Sequence, residues 1–177
     1  EVVVMHTEHF DFFDPGKIAD SGQAFRIHTI DDTHTELVAF GKYLQIASLG
    51  NNDFAFSCTK KEFKDIWFDY FDLGTDYVKV AQSIDKDDDF LNAATSYGDG
   101  IRILKQDVFE TIISYIISQR RSIPSITTCV DRLSALAGTK IKPAKLGAPF
   151  VKPLKNEYYA FPSVKQASKL TAEELNR

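Results

Sequence analysis

The 177-residue chain is 44% hydrophobic and 26% charged, with 9 Gly and 6 Pro, a globular composition that excludes a disordered or fibrous protein. The length suits one ordinary domain or two small ones packed together, and no apolar run approaches the roughly 20 residues of a membrane-spanning helix. A formal charge of -4 gives no sign of a nucleic-acid binder, and two cysteines, Cys58 and Cys129, are too few for a disulfide scaffold and lack metal spacing.

In chain order, Phe25 to Ile30, Glu36 to Phe40, Tyr43 to Ser48 and Phe54 to Ser57 are short runs rich in aromatic and branched residues. Asp31-Asp32, Gly41-Lys42 and Gly50-Asn51-Asn52-Asp53 punctuate them. This pattern predicts a small antiparallel sheet of hairpins that needs a cover on one face. From Thr59 the period becomes helical. Thr59 caps a helix whose Phe63, Ile66, Trp67 and Tyr70 share a face. Two shorter helices are expected over Asp76 to Ile84 and Asp88 to Tyr97. Asp107 and Glu110 approximate a capping box and open Thr111 to Ser118, apolar almost all round and so expected at the centre of a helical domain. A further helix carries Ile126, Cys129, Val130, Leu133 and Leu136 on one stripe and stops at Gly138. Cys129 reads as core packing in that stripe. Gly138 to Pro162 reads as a loop with four prolines and five lysines, and Ser163 and Thr171 cap short helical stretches.

The average charge hides a division. Residues Glu1 to Ile101 carry 8 Lys/Arg and 19 Asp/Glu, whereas Arg102 to Lys155 carry 10 and 3. A chain this dipolar can turn one face to a polyanion despite an acidic total, and equally the lysines can be a solvated face. His6 and His9 invite a metal reading, but they sit near the start without a helical frame or third ligand, so no metal is expected. Gly138-Thr-Lys140 fails as a DNA-binding hairpin because Pro143 interrupts the helix that should follow. The loop Ser118 to Pro124 is more informative. Ser122 can cap the next helix with Pro124 in its first turn. Arg120 and Arg121 make an electropositive corner suited to phosphate or a base edge, or else a solvated turn.

Three segments together resemble the 8-oxoguanine DNA glycosylases. Lys17-Ile-Ala-Asp-Ser-Gly-Gln-Ala-Phe-Arg26 looks like that family's Ser/Cys-Gly-Gln-x-Phe-Arg signature. Trp67 to Asp72 with Asp76-Tyr77 resembles its Tyr-Phe-x-Leu…Asp-Tyr stretch. Gly100 to Asp107, the apolar helix and Ser118 to Pro124 follow the family in order, and Tyr158-Tyr-Ala-Phe-Pro162 matches the segment after them. The resemblance implies an α+β fold: a twisted antiparallel sheet of TATA-binding-protein type over residues 1–75, then part of an all-helical domain over 76–177. It implies excision of oxidised purine from double-stranded DNA by base flipping, by a monomer without cofactor, in the cytoplasm or nucleoid of a bacterium.

By the same resemblance, Gly22 matches the glycine whose backbone carbonyl reads the N7–H of 8-oxoguanine, although a turn also calls for glycine. Gln23 and Phe25 match signature positions expected to support the pocket. Arg120, Arg121 and Ser122 stand where the family has an Asn-Asn-Asn run, whose first Asn fills the gap left by the flipped base and contacts the opposite cytosine. Ser125 replaces an arginine that reads the opposite cytosine in some members, and Ala24 and Ile27 depart from a common Cys and Trp. The lysine nucleophile and assisting aspartate belong to a region after the last matched segment. After Asp131 there is no aspartate and no lysine in a hairpin frame. The expectation is therefore an N-terminal portion with no catalytic residue of its own, ending at Arg177 beside an incipient helix. An alkylated-base glycosylase and a non-catalytic DNA-binding module are the alternatives.

Overall fold

The computed structural model describes residues 4–143 and 145–175; Glu1 and Arg177 lie outside them. The fold is α+β. Five antiparallel strands form one sheet in the order β1-β5-β4-β3-β2: β1 His6–His9, β2 Ile27–Asp31, β3 His34–Ala39, β4 Lys42–Gly50 and β5 Asp53–Phe56. The four expected strands are present, within one or two residues at their ends. Phe40, placed in a strand by its aromatic character, instead forms a two-residue turn with Gly41. Both have positive φ, 49° and 71°, the twist-matched geometry of a tight hairpin. Asn51 and Asn52 close the β4–β5 hairpin in the same way, at 52° and 61°.

β1 was not expected. It is an edge strand on β5, with His6 opposite Phe56 and His9 opposite Asp53. Its four residues hold no branched or aromatic run, so they gave no strand signal. Their placement also bears on the metal motif. Three residues apart on a strand, His6 and His9 face opposite sides. The His6 ring lies 4.6 Å from that of Phe63, and His9 bonds outward to Asp53 and Asp11 at 2.9 and 3.1 Å.

The inner face of the sheet supplies Ile27, Leu37, Leu44, Ile46, Phe54 and Phe56 to the main core. Its cover is the helix over residues 60–70, which Thr59 caps by accepting from the Glu62 N–H at 3.1 Å. A π-helical turn at Phe63–Trp67 re-aims the following residues, so Phe63, Trp67, Tyr70 and Phe71 all reach the core. Contrary to the expectation of one cover, the outer face is covered too. The stretch after Gly138 returns across it: β6 Lys140–Ile141 pairs with β7 Tyr158–Tyr159, and Phe150 and Tyr158 pack on Ala47, Ala55, Val38 and Tyr43. Buried polar groups fasten it. Glu36 accepts from Tyr43 Oη at 3.0 Å, Tyr158 Oη at 2.6 Å and the Leu154 N–H at 3.1 Å. Gln45 bonds both the N–H and the carbonyl of Val151.

The helices Tyr77–Gln82, Asp89–Tyr97, Val108–Ser118 and Ile123–Ala137 follow, then the short Val164–Ala167 and Ala172–Leu175. The expectation that the apolar helix is buried at a centre is corrected. Only Ser114 of Val108–Ser118 is buried, while Val108 is 72% and Ile116 62% exposed. Apolarity all round leads to burial only where a layer lies on each side, and here one side is open. The stripe on Ile123–Ala137 divides likewise. Ile126 and Val130 are buried, but Cys129, Leu133 and Leu136 line an open groove with Ile116, Arg121 and Arg132.

Gly138 ends its helix as expected, but not through a left-handed residue: its φ is -79°. A Cβ there would lie 1.8 Å from the Ala160 carbonyl oxygen and 2.5 Å from that of Ser134, so glycine serves close chain approach.

Candidate nucleic-acid interface

The short helix Pro15–Asp20 leads into the site. Asp14 caps it by accepting from the Lys17 N–H at 2.9 Å, and Pro15 occupies the first turn, where its fixed φ is favourable. Ser21 closes the helix onto the Ile18 carbonyl. Gly22 follows at φ 75°, and a Cβ there would meet nothing within 4 Å. The glycine is required by its backbone angle and leaves open space beside it.

Gln23 fixes this loop to the segment before the apolar helix. Its amide donates to the Arg102 carbonyl at 3.0 Å and accepts from the Leu104 N–H at 2.9 Å, while its own carbonyl accepts from Gln106 Nε2 at 2.6 Å. The Phe25 ring sits edge-on to Tyr115 at 6.2 Å. Arg26, 7% exposed, reaches the Tyr159 carbonyl and lies 3.5 Å from Glu110. Glu110 is thereby drawn off the capping box, of which only the Asp107 half forms, accepting from the Glu110 N–H at 2.9 Å. Burial pushes the Glu110 carboxyl pKa up, against the pull of Arg26.

The second predicted segment is the turn between Val108–Ser118 and Ile123–Ala137. Arg120 holds a left-handed φ of 56°, and the Arg121 N–H bonds the Ser118 carbonyl at 3.1 Å. Arg120, Arg121 and Ser122 are all exposed. Ser122 stands at the cap position with Pro124 in the first turn, as expected, but its hydroxyl makes no capping bond. Arg121 lies 3.5 Å from Cys129 Sγ.

The fold brings the Gly22 loop and the start of the helix after the arginine turn to one cavity of about 340 Å³. Gly22, Phe25, His28 and Thr29 line one side, and Ile123 and Thr127, directly after the arginine turn, line another. Ile123 falls in the loop Ser118 to Pro124 that the sequence singled out for its arginines, whereas Thr127 reads there as ordinary helix. The basic half of the chain proves not to be one face. Arg102, 5% exposed, bonds the carbonyls of Phe12, Asp72 and Thr75. Lys105 pairs with Asp69 and Asp72, Lys140 with Glu157 and Lys155 with Asp131. Arg120 and Arg132, by contrast, have no ion-pair partner among the described residues. Charge counted along a chain does not separate ions used inside the fold from those turned to solvent.

The family model for the 8-oxoguanine DNA glycosylase N-terminal domain matches residues 4–112. No curated protein matches the chain by sequence. Among solved structures, the apo form of Clostridium acetobutylicum 8-oxoguanine glycosylase/lyase is 30% identical with a TM-score of 0.82, over 98% of this chain and 59% of that one. MBOgg1 in complex with a low-affinity DNA ligand is 30% identical with a TM-score of 0.84, over 99% and 57%. The Clostridium protein in complex with double-stranded DNA containing cytosine opposite 8-oxoG is 30% identical with a TM-score of 0.79, over 99% and 60%. This chain therefore spans 57–60% of the length of those proteins. With a family model matched over most of its length and the same fold throughout, the chain belongs to the 8-oxoguanine DNA glycosylase N-terminal domain family.

Proposed function

We propose that this chain forms the base-recognition part of a DNA glycosylase acting on 8-oxoguanine in double-stranded DNA. One observation carries the reading: the Gly22 loop and the residues after the Arg120–Ser122 turn, 100 positions apart in sequence, line a single cavity. A base extruded from the duplex needs such a pocket, because its reacting atoms are out of reach within the stack. Gly22 offers a backbone carbonyl beside open space, which suits acceptance of the N7–H that oxidation adds to guanine. Arg120 fills the gap left in the duplex or grips a phosphate, Arg121 adds positive charge, and Ser122 has a hydroxyl free of capping duty.

Residues 1–75 act as the rigid frame for Gly22, and residues 76–177 supply the turn that approaches DNA. No lysine or aspartate of this chain is assigned a catalytic role, so the 177 residues bind lesion-containing duplex and do not excise the base.

The test is binding by fluorescence anisotropy to a duplex with 8-oxoguanine opposite cytosine across a salt series. Affinity is expected to fall steeply with salt, and the double variant Arg120→Ala, Arg121→Ala to flatten the log–log slope by about 1 to 2. Binding that ignores salt, or no binding at low salt, overturns the reading.

A further inference from the structure

The cavity beside Gly22 has a chemical feature that the matched motifs leave unused, and its meaning rests on the reading above. Four polar side chains line it: Asp20, His28, Thr29 and Thr127. Among the described residues none of the four has a side-chain hydrogen bond or ion-pair partner. Asp20 and Thr29 are exposed and have water for partners, whereas His28 and Thr127 are partly buried. The polar atoms of His28 and Thr127 are not sealed off, so they are free to meet a ligand in the cavity.

His28 has a defined place. It stands opposite Glu36 in the β2–β3 register, so its side chain rises on the outer face of the sheet. The helix Ile123–Ala137 lies over that edge. Thr127 and Asp131, one turn apart on that helix, border different spaces: Thr127 the cavity beside Gly22, and Asp131 a neighbouring cavity of about 180 Å³ that also holds Arg26, Glu36 and Lys155. His28 lines both, forming a wall between them. Lys155 and Asp131 pair with each other, and Glu36 is engaged by Tyr43, Tyr158 and Leu154. The charged neighbours are thus occupied, and the imidazole remains available.

We infer that His28 is a specificity-determining residue of the base cavity, its imidazole hydrogen-bonding the edge of an extruded oxidised purine while Gly22 presents its backbone. Burial lowers the imidazole pKa, which keeps one N–H donor and one bare nitrogen acceptor at neutral pH. The oxidised edge carries an N7–H beside an 8-carbonyl: the N7–H is left to the Gly22 carbonyl, and the imidazole N–H donates to the 8-carbonyl. Guanine lacks the N7–H and the 8-carbonyl, and the bond that distinguishes the two bases is lost with it.

The experiment compares binding of the 177-residue chain to a duplex with 8-oxoguanine opposite cytosine and to the same duplex with guanine. His28→Phe is expected to reduce the lesion-to-guanine affinity ratio about tenfold, the worth of one hydrogen bond. His28→Leu repeats the test without an aromatic ring should His28→Phe lower the unfolding midpoint. A full lesion preference in both variants, with Gly22→Ala losing it, overturns this inference and leaves the proposed function standing. A wild-type chain without lesion preference overturns both.

Discussion

Arg120 holds a backbone angle of φ 56° that glycine or asparagine adopts at lower cost, and a non-glycine residue kept there stores about 1 kcal/mol or more. Arg120→Gly is therefore expected to raise stability by about 0.5–1 kcal/mol in urea unfolding while weakening DNA binding at low salt. Gly138 presents the opposite case. With a Cβ 1.8 Å from the Ala160 oxygen, Gly138→Ala must displace the Tyr158–Ala160 segment, at a cost of about 3 kcal/mol on the same measurement. Glu36→Ala leaves two buried tyrosine hydroxyls and the Leu154 N–H without their acceptor. A loss of about 3 kcal/mol is expected, with Tyr158 freed from the sheet. The caps Asp14, Thr59, Asp76, Asp88, Asp107 and Ser163 all accept from a nearby backbone N–H. Of these, Thr59, Asp107 and Ser163 were identified as caps in the sequence, because capping joins residues three apart. Glu110 was half misread, since the partner that withdraws it, Arg26, is 84 positions away.

Elements differ in how firmly the core holds them. Neither Tyr77–Gln82 nor Asp89–Tyr97 has a buried residue, and Phe90 and Tyr97 are 79% and 86% exposed. Their hydrogen bonds therefore open without disrupting the sheet. Amide exchange in both helices is expected to run orders of magnitude faster than in β3 and β4, checked by mass spectrometry on peptic fragments. The strands β2 to β5 were legible because turn residues bracket runs of aromatic and branched side chains. β1 was not, since its pairing partner β5 lies more than 40 positions away and its own residues have low strand preference. The segment after Gly138 was read as loop for a related reason. Its hold on the sheet comes from Phe150, Tyr158 and the buried Glu36 and Gln45, and no periodicity records such spaced contacts.

Across the whole molecule, the ionisable groups set opposing trends with pH. The Asp31 carboxyl is held down to about 2, first by the Thr33 N–H and then by His34, and hydrogen bonds hold Asp76 low as well. Depressed carboxylates contribute stability above about pH 4 that is lost as the pH falls through their folded values. Glu110, raised by burial, contributes in the other sense, with stability lost as the pH rises through its folded value. The lowered His28 contributes stability that is present above about pH 6.5 and declines as the pH falls towards its folded value. His9, raised by Asp53 and Asp11, opposes it. Unfolding midpoints between pH 7 and 5 are expected to fall less in His28→Phe than in the wild type, which isolates the His28 contribution from that of His9.

By itself the sequence determined the local features and the family. Caps, hairpins and the aromatic helix depend on neighbours a few residues apart, and the ordered motifs from Lys17 to Pro162 identify the fold that holds them. Only the tertiary structure decided which charges face out, which apolar faces stay open, and that Gly22 and His28 share a cavity with Ile123 and Thr127 of the helix after the arginine turn. These are relations between residues some 100 positions apart. They depend on how the helix Ile123–Ala137 lies over the edge of β2, and chain order carries no record of that packing.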